Sequence, residues 1–404
     1  MSANFFPMYG DETVTIRVPS WWFGEPANKD WLAEVIEVFE TKHPNIKVDG
    51  YNLPYGEYAD TLLVEIAAGD PPDVVHLLNM NIGDFQRIDA LQPLDKYLAH
   101  SNINPYNFTP AQFQPPMTYN GSTYGVIHMV ANYIPFYNKQ LLEGAGYSSF
   151  PENSKDFFEM VGKLSNPPNQ FGYAAMVKPG SYVETYMDIT QWVVANEGGW
   201  ATAGKPTIDS EKNIEAVQAF KNMFDSGAMP KDVDKSTYRS MWWEGKVGVL
   251  FDGSWMMSFA KSNNPEIVPS LGTAQMPWPS RLTASAFQVW SIPEGASHPD
   301  EAWKFIEFMQ SFEMQVKMIN MTGCVSPRKG AMSKKFVESN PWFENFQLSA
   351  DKYAVSIMPQ GLELYGNEVL KIIADQVQQI LYRDTDVASA LAVAQKKVEK
   401  LVAN

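Results

Sequence analysis

The pattern of apolar positions over the first 80 residues alternates between short strands and amphipathic helices. Strand-like alternation at residues 14–18 precedes apolar positions at helical spacing over 28–42. A second strand at 46–48, a helix ending at Gly69 and a nearly all-apolar strand at 74–78 follow. This order predicts an α/β protein with mostly parallel strands.

The rest of the chain continues with the same two patterns and longer loops between them. Apolar stripes predict helices over residues 150–165, 210–226, 299–312, 369–381 and 386–402. Apolar runs predict buried strands at 247–251 and 288–292. The sequence shows no repeat of fixed period.

Composition narrows the class of protein. The chain has 404 residues, of which 45% are hydrophobic, so it is long enough for two cores and is not disordered. Its net charge is −15, and we expect no nucleic-acid partner because phosphate binding needs clustered Lys and Arg. No window reaches 18 consecutive apolar residues, so we expect no membrane-spanning helix. Residues 1–10 lack the charged leader and apolar core of a secretory signal.

The usual motifs of catalysis and cofactor binding do not occur. The single cysteine, Cys324, excludes an intramolecular disulfide and a cysteine-based metal site. The five histidines show no metal-ligand spacing, and there is no Walker A, GxGxxG or GxSxG sequence. We therefore expect no metal, no cofactor and no enzymatic activity.

Three predicted strands end in loops that combine aromatic with small polar residues. Ligands of open α/β sheets bind beyond the carboxyl ends of strands. An aromatic ring packs on the C–H face of a sugar, whose hydroxyls need donors and acceptors, so these loops indicate a carbohydrate site. The candidates are Trp21, Trp22, Asn79, Asn81, Gly253, Ser254 and Trp255.

Each candidate also has a purely structural interpretation. Tryptophans usually pack in cores. Asn79 and Asn81 are suited to stabilising turns through side-chain hydrogen bonds. Arg328 fits either a solvated loop or a contact with an anionic group of a ligand. The sequence leaves these alternatives open.

Several segments, in this order along the chain, resemble one family. They are AAGDPPDV at 67–74, LQPLD at 91–95, YGVI at 124–127, FYNK at 136–139, GKVGV at 245–249, AWKF at 302–305 and GCVSPR at 323–328. Together they resemble extracellular solute-binding proteins of the maltose-binding class, which serve ABC importers.

The resemblance implies a two-lobed periplasmic-binding-protein fold of type II, with two mostly parallel sheets and a ligand cleft between the lobes. The N-terminal lobe would comprise residues 1–127 and 283–325, and the C-terminal lobe 128–282 and 326–404. The cleft would close on its ligand by hinge motion. The protein would be a monomer in the periplasm or facing the extracellular side, and its partners would be a carbohydrate and the permease subunits of an ABC transporter.

Further site residues are implied by position within the family. Trp255 matches an aromatic that stacks on sugar, and Tyr365 falls where a second one often sits. The other positions implied are Tyr55, His128, Asn132, Tyr182, Glu184, Tyr186 and Phe287. Two departures from the family pattern, Ile127 in place of a common Pro and the run 285–287 in place of a Gly-Gly pair, argue against transferring maltodextrin specificity.

The preferred interpretation is a binding protein for a neutral monosaccharide, disaccharide or polyol. One alternative is an anionic ligand, a phosphate, sulfonate or sugar acid, held by Arg239, Arg281 or Arg328. Others are a polyamine or peptide, and a glycoside hydrolase that uses the same aromatic cleft, since carboxylate pairs cannot be identified from sequence.

Overall fold

The computed structural model describes residues 13–103, 117–119 and 121–403, so the N-terminal stretch discussed above lies outside the described residues. The strands are β1 (Val14–Pro19), β2 (Ile46–Tyr51), β3 (Val75–Leu78), β4 (Thr118–Tyr119), β5 (Ser122–Thr123), β6 (Val126–Asn132), β7 (Ile134–Asn138), β8 (Phe171–Ala174), β9 (Ala201–Thr202), β10 (Lys205–Pro206), β11 (Val247–Asp252), β12 (Leu271–Thr273), β13 (Thr283–Ser291) and β14 (Ala354–Ser356).

Helices surround the strands and are most numerous in the last quarter of the chain. The α-helices are α1 (Pro26–Lys42), α2 (Tyr58–Ala67), α3 (Asn79–Arg87), α4 (Asp95–Leu98), α5 (Lys139–Gly144), α6 (Ser154–Leu164), α7 (Tyr182–Ala195), α8 (Glu211–Asp225), α9 (Lys235–Trp243), α10 (Met256–Asn263), α11 (Pro299–Met309), α12 (Phe312–Thr322), α13 (Lys334–Ser339), α14 (Glu344–Lys352), α15 (Gly366–Arg383) and α16 (Val387–Val402). Short 3-10 helices occur at Trp21–Gly24, Pro265–Ser270, Pro341–Phe343 and Glu363–Tyr365.

The elements predicted from hydrophobic periodicity are present, and the differences have local causes. Helix α1 begins two residues earlier than predicted, because Pro26 occupies its first turn, where a missing N–H costs nothing. The helix predicted over 299–312 divides into α11 and α12, and the Ser311 side chain caps the second. Residues 79–85, expected to be a loop, belong to helix α3, which follows β3 directly.

Two sheets organise the molecule. In the first, β14, β13 and β3 lie in that order and β6 pairs with β13; in the second, the order is β12, β7, β11 and β8. The pairing is more mixed than strand–helix alternation predicts. Strand β13 runs parallel to β14 and antiparallel to β3 and β6, because it enters the first sheet from the second rather than through a βαβ crossover.

The chain crosses between the two sheets at neighbouring points. Strands β6 and β7 belong to different sheets and are separated only by Tyr133. The chain returns from β12 to β13, where the Thr283 hydroxyl donates to the carbonyl oxygen of Tyr133. The expected lobe boundary at residue 127 falls inside β6, and β14, expected in the C-terminal lobe, pairs with β13. The two crossings are therefore tied to each other by a direct hydrogen bond.

A buried glutamine of helix α7 joins the second crossing. The side-chain amide of Gln191 donates to the Ala284 carbonyl oxygen at 2.9 Å and accepts from the Ala284 N–H at 3.0 Å. Gln191 is fully buried, so water cannot take its place as the hydrogen-bond partner of these backbone groups. Helix α7 is thereby fixed to the point where β13 begins.

Within the described residues, no helix is both long enough and apolar enough to cross a membrane.

Replacing Gln191 with Met tests how much this buried amide stabilises the fold. The change leaves the Ala284 N–H and carbonyl without their partner, and we expect a loss of about 3 kcal/mol in the free energy of unfolding, measured by urea denaturation. Gln218→Met is the matched control because Gln218 is exposed on helix α8, and we expect its effect to stay within about 0.5 kcal/mol. Equal effects of the two changes would contradict the assignment.

Candidate functional site

A cavity of about 360 Å³ lies beside the crossing strands, a size within the range of small-molecule sites. Strands of the first sheet line one side, and helix α9 and the turn after strand β11 of the second sheet line the other. Its lining comprises Trp21, Trp22, Glu25, Asn28, Tyr55, Leu78, Met129, Ala131, Tyr133, Glu184, Met187, Lys235, Ser236, Arg239, Trp255, Phe259, Ala286, Gln288 and Cys324. Strands β6 and β13 form its floor through alternate residues that point to one face. The cavity is thus an inter-sheet cleft rather than a pocket within one sheet.

The N-terminal wall is built by the 3-10 helix that follows β1. The Ser20 side chain caps this helix by accepting from the Trp22 N–H at 3.1 Å, which orients both tryptophans. The Trp21 ring stacks on His76 with 4.0 Å between ring centroids and meets the Tyr55 ring edge-on at 5.5 Å. Tyr55 itself is 45% exposed. Aromatic rings therefore line one side of the cavity, with Tyr55 reaching furthest toward solvent.

Behind this wall lies a buried polar chain. Ser20 Oγ and His76 Nδ1 are 2.7 Å apart, and the Nε2 atoms of His76 and His128 are also 2.7 Å apart. Such a contact between two imidazoles needs one N–H donor and one lone pair, which two neutral rings supply. Burial accounts for this state, since it lowers the pKa of His128 to about 3 and holds that of His76 well below its usual value.

The opposite wall centres on the end of β11. The fully buried carboxylate of Asp252 accepts two hydrogen bonds from the Arg239 guanidinium, each 2.7 Å long, and a third from the Gly253 N–H at 2.8 Å. The guanidinium lies 6.0 Å from the Trp255 ring centroid. A Cβ on Gly253 would come within 2.1 Å of the Trp255 ring, so only glycine lets the ring fold back over this turn.

The same wall carries charged groups whose protonation is shifted. Burial raises the pKa of Asp188 to about 7, against the opposing effects of Lys235 and of the Met176 N–H that the carboxylate accepts. Burial also lowers the pKa of Lys235, as does the nearby Arg239. Across the cleft, burial raises the pKa of Glu25, although its hydrogen bond from Asn28 and the charge of Arg239 act in the opposite direction.

Five of the residues expected at the site line this cavity together. Trp21, Trp22 and Tyr55 form the N-terminal wall, and Glu184 and Trp255 belong to the C-terminal wall. Arg239, considered above as an anion ligand, also lines the cavity, but its guanidinium is bound by Asp252. The structure therefore brings together residues that are far apart in sequence.

The expected residues of α3 and the crossing strands lie outside the cavity lining. Asn79 is fully buried and accepts from the Phe287 N–H at 3.3 Å, and Asn81 follows it on α3. Asn132 accepts from Ser285 at 2.6 Å and so supports the crossing. His128 belongs to the buried histidine pair described above. Phe287 is buried on the opposite face of β13 from its lining neighbours, Ala286 and Gln288, because strand side chains alternate.

The remaining expected residues are also placed elsewhere. Tyr186 is fully buried and donates to the Ile357 carbonyl oxygen, whereas Tyr182 is exposed at the start of α7. Gly253 and Ser254 shape the turn before Trp255 without lining the cavity. Arg328 lines a separate surface cavity with Phe312, and Tyr365 precedes α15. Arg281 is a surface residue 3.7 Å from Glu152.

Sequence reasoning missed much of the lining, including Lys235, Tyr133 and Gln288. Lys235 and Arg239 lie on helix α9, whose capping signal was present in the sequence: the Asp234 side chain accepts from the Thr237 N–H at 2.8 Å. Tyr133 and Gln288 carried no such signal, because a single aromatic or amide residue within an apolar strand is typical of a core position. Their role depends on which strands cross between the sheets.

The two sheets are flanked by helices, and an aromatic cleft lies beside the strands that pass between them. This arrangement defines a two-lobed ligand-binding protein of the periplasmic-binding-protein fold. The family model described as bacterial extracellular solute-binding protein matches residues 34–345, and the chain belongs to this family. The resemblance and the fold expected from the sequence are confirmed. Because the family consists of binding proteins, the expectation that the chain is not an enzyme is confirmed as well.

Similar proteins cover nearly the whole chain at low identity. An uncharacterized ABC transporter extracellular-binding protein of Pyrococcus horikoshii is 22% identical, covering 96% of this chain and 89% of its own. A maltotriose-binding protein of Pyrococcus abyssi is 19% identical, covering 96% and 82%. An ABC transporter solute-binding protein from Thermotoga lettingae, solved with α-D-tagatose, superposes with a TM-score of 0.84 at 21% identity, covering 96% of this chain and 99% of that chain.

The raised pKa of Asp188 predicts a pH-dependent contribution to stability. The folded state holds this proton up to about pH 7, whereas the unfolded chain releases it near its ordinary pKa of about 4. Asp188 thus stabilises the fold at low pH and loses that contribution as the pH rises through 7. We expect the stability difference between the parent protein and Asp188→Asn to grow by about 1.4 kcal/mol per pH unit as the pH falls from 7 toward 4.

Urea unfolding at several pH values measures this difference. Other titrating groups, the histidine pair included, contribute equally to both proteins and cancel in the comparison. Asp209→Asn, at an exposed position, is the control and should give a curve parallel to that of the parent protein. Parallel curves for Asp188→Asn would show that Asp188 is ionised throughout this range.

Proposed function

We propose that this protein is the substrate-binding component of an ABC importer and captures a neutral monosaccharide, disaccharide or polyol in the cleft between its lobes. The observation that carries the proposal is the lining of the cleft. Aromatic rings of Trp21, Tyr55 and Trp255 from the two walls alternate there with carboxylate, amide and ammonium groups. A sugar needs both kinds of surface, because its C–H faces pack on rings while its hydroxyls form hydrogen bonds.

The related proteins support the same ligand class. One relative is named for maltotriose, and one fold neighbour was solved with a ketohexose. The cavity of about 360 Å³ favours the smaller end of that range. The residues that line the cavity are only partly those expected from position within the family. The identity of the sugar is therefore not inferred from these relatives.

Capture would occur by closure of the two lobes about the crossing strands. We assign the crossings to Tyr133 and to the segment that leads into Thr283, where the chain passes between the sheets. Each wall alone offers half a site, so a ligand that contacts both binds the closed form better and shifts the equilibrium toward it. The permease would then recognise the closed shape.

The alternatives find less support in the cleft. The guanidinium of Arg239 is already bound by Asp252, Arg281 pairs with Glu152 on the surface, and Arg328 lies at another cavity. Among the described residues, an anionic ligand therefore meets no arginine in the cleft whose charge is uncompensated. A hydrolase is inconsistent with the family, and incubation with oligosaccharides should give stoichiometric binding without turnover.

The location and the partners of the protein follow from the same proposal. As an importer component it would act outside the cytoplasmic membrane, either in a periplasm or anchored at the cell surface. Its partners would be the ligand and the permease subunits, with no nucleic acid, and it would work as a monomer. The acidic net charge of −15 is consistent with a protein that stays soluble at its site of capture.

A thermal-shift panel of sugars, polyols, polyamines and peptides tests the ligand class. A ligand present at 100 times its dissociation constant stabilises the native state by about 2.7 kcal/mol, which raises the melting temperature measurably. We expect shifts with neutral sugars or polyols. A shift with another class and none with any sugar would contradict the proposal.

Replacing Trp255 with Ala tests the stacking role directly. Removing a ring that packs on the ligand should weaken binding by about tenfold or more, measured by calorimetry, with a smaller effect on the melting temperature of the apo protein because the ring is only partly buried. Trp303→Ala is the control. Trp303 stacks on Tyr97 in the core, so its loss should lower stability and leave affinity unchanged. Equal losses of stability and affinity at Trp255 would make it a core residue.

A further inference from the structure

Two charged side chains in the cleft have no hydrogen-bond or ion-pair partner among the described residues. Glu184 and Lys235 both line the cavity, and among the described residues neither forms a hydrogen bond or an ion pair. The Lys235 ammonium lies 5.8 Å from the centroid of the Tyr133 ring. Charged groups in a partly enclosed site normally have a partner, so these two are placed to meet a ligand.

The second cation of the cleft is already neutralised. Asp252 binds the Arg239 guanidinium in the bidentate geometry that best satisfies both ions. The carboxylate is fully buried and also accepts from the Tyr238 hydroxyl at 3.2 Å, so its hydrogen bonds in the protein come from Arg239, Tyr238 and Gly253. Asp252 takes two of the five N–H donors of the guanidinium and neutralises its charge, so Arg239 adds no uncompensated positive charge for a ligand carboxylate or phosphate.

Carboxylates outnumber cations around the cavity. Glu25 on the N-terminal wall has one hydrogen bond, from Asn28, and faces the charge of Arg239 across the cleft. Asp188 lies one helical turn beyond Glu184 and interacts with Lys235. Glu25 and Glu184 line the cavity and Lys235 is the cation that faces them, because Asp252 neutralises Arg239. Asp188 carries only part of its charge near pH 7, since burial raises its pKa to about 7.

We propose that the cleft selects its ligand by charge. It holds an uncharged polyhydroxylated ligand, with Glu25 and Glu184 accepting hydrogen bonds from hydroxyl groups and Lys235 donating to a ligand oxygen. It rejects the carboxylated or phosphorylated derivative of the same ligand. The inference rests on the proposed function and adds to it the residues that set the preference.

The physical reason is the effect of closure on electrostatics. When the lobes close, water leaves the cleft, and the interaction between charges strengthens as the effective dielectric constant falls. A hydroxyl donates to a carboxylate without adding charge. An anionic ligand instead adds a negative charge between Glu25 and Glu184, one from each wall. Of the two cations in the cavity lining, Arg239 is paired with Asp252, and Lys235 has no carboxylate within ion-pair distance among the described residues.

Matched ligand pairs test the charge preference. Thermal shift and then calorimetry compare each neutral ligand with its anionic derivatives. The sets are glucose with glucuronate and glucose 6-phosphate, galactose with galacturonate, and mannitol with mannitol 1-phosphate. We expect at least one neutral member to bind and its anionic partner to bind about tenfold more weakly or worse. An anionic member that binds as well as its neutral parent, or better, overturns the charge preference while leaving sugar binding intact.

Variants of the two unpartnered residues identify what sets the preference. Glu184→Gln keeps the size and one acceptor oxygen, and we expect the ratio of neutral to anionic affinity to shrink by about tenfold. Lys235→Gln removes the free cation and should enlarge the ratio. Glu159→Gln is the control, since Glu159 is exposed on α6 outside the cavity and the substitution changes net charge by the same amount.

The outcomes separate this inference from the function on which it rests. If Glu184→Gln and Glu159→Gln change the ratio equally, the preference comes from overall charge and the assignment to Glu184 is wrong. If no sugar or polyol binds, neutral or anionic, both the charge preference and the proposed function fail. A neutral ligand bound with an unchanged ratio in all three variants overturns only the roles given to Glu184 and Lys235.

Discussion

The crossing of the chain at Tyr133 is the constraint on which the rest of the structure depends. Strands β6 and β7 are almost continuous yet belong to different sheets, so a single residue lies between the two sheets there. The hydrogen bond from Thr283 to Tyr133 holds the returning strand against the same point, and Gln191 holds helix α7 to the next residue of that strand. Residues on both sides of the crossing therefore become the floor of one cavity.

The chemistry of the cleft follows from how each wall is supported. On the C-terminal side, the Asp252 carboxylate holds Arg239 beside Trp255, so the aromatic ring and the cation are positioned by one buried ion pair. On the N-terminal side, Ser20 and the neutral histidine pair lie behind the tryptophans. Buried polar groups thus support the walls, while Glu184 and Lys235 remain available to a ligand.

The sequence predicted the walls better than the floor. Trp21, Trp22 and Trp255 follow predicted strands, and the rule that ligands bind beyond strand ends was enough to place them at the cavity. Position within the family led to Phe287, whereas its neighbours Ala286 and Gln288 line the cavity. A shift of one residue in a strand exchanges the two faces of the sheet, and sequence alone does not fix which face meets the cleft.

The sequence by itself determined the α/β class, the order of most helices and strands, and the family, because periodicity and turn residues are local properties of the chain. Only the tertiary structure decided which charges pair. Arg239 and Asp252 are 13 residues apart and form a buried ion pair. Glu184 and Lys235 share the cleft, and the described part of the chain gives neither of them a hydrogen-bond or ion-pair partner. Pairing depends on the distance between charged groups and on their burial, and neither quantity can be read from the sequence.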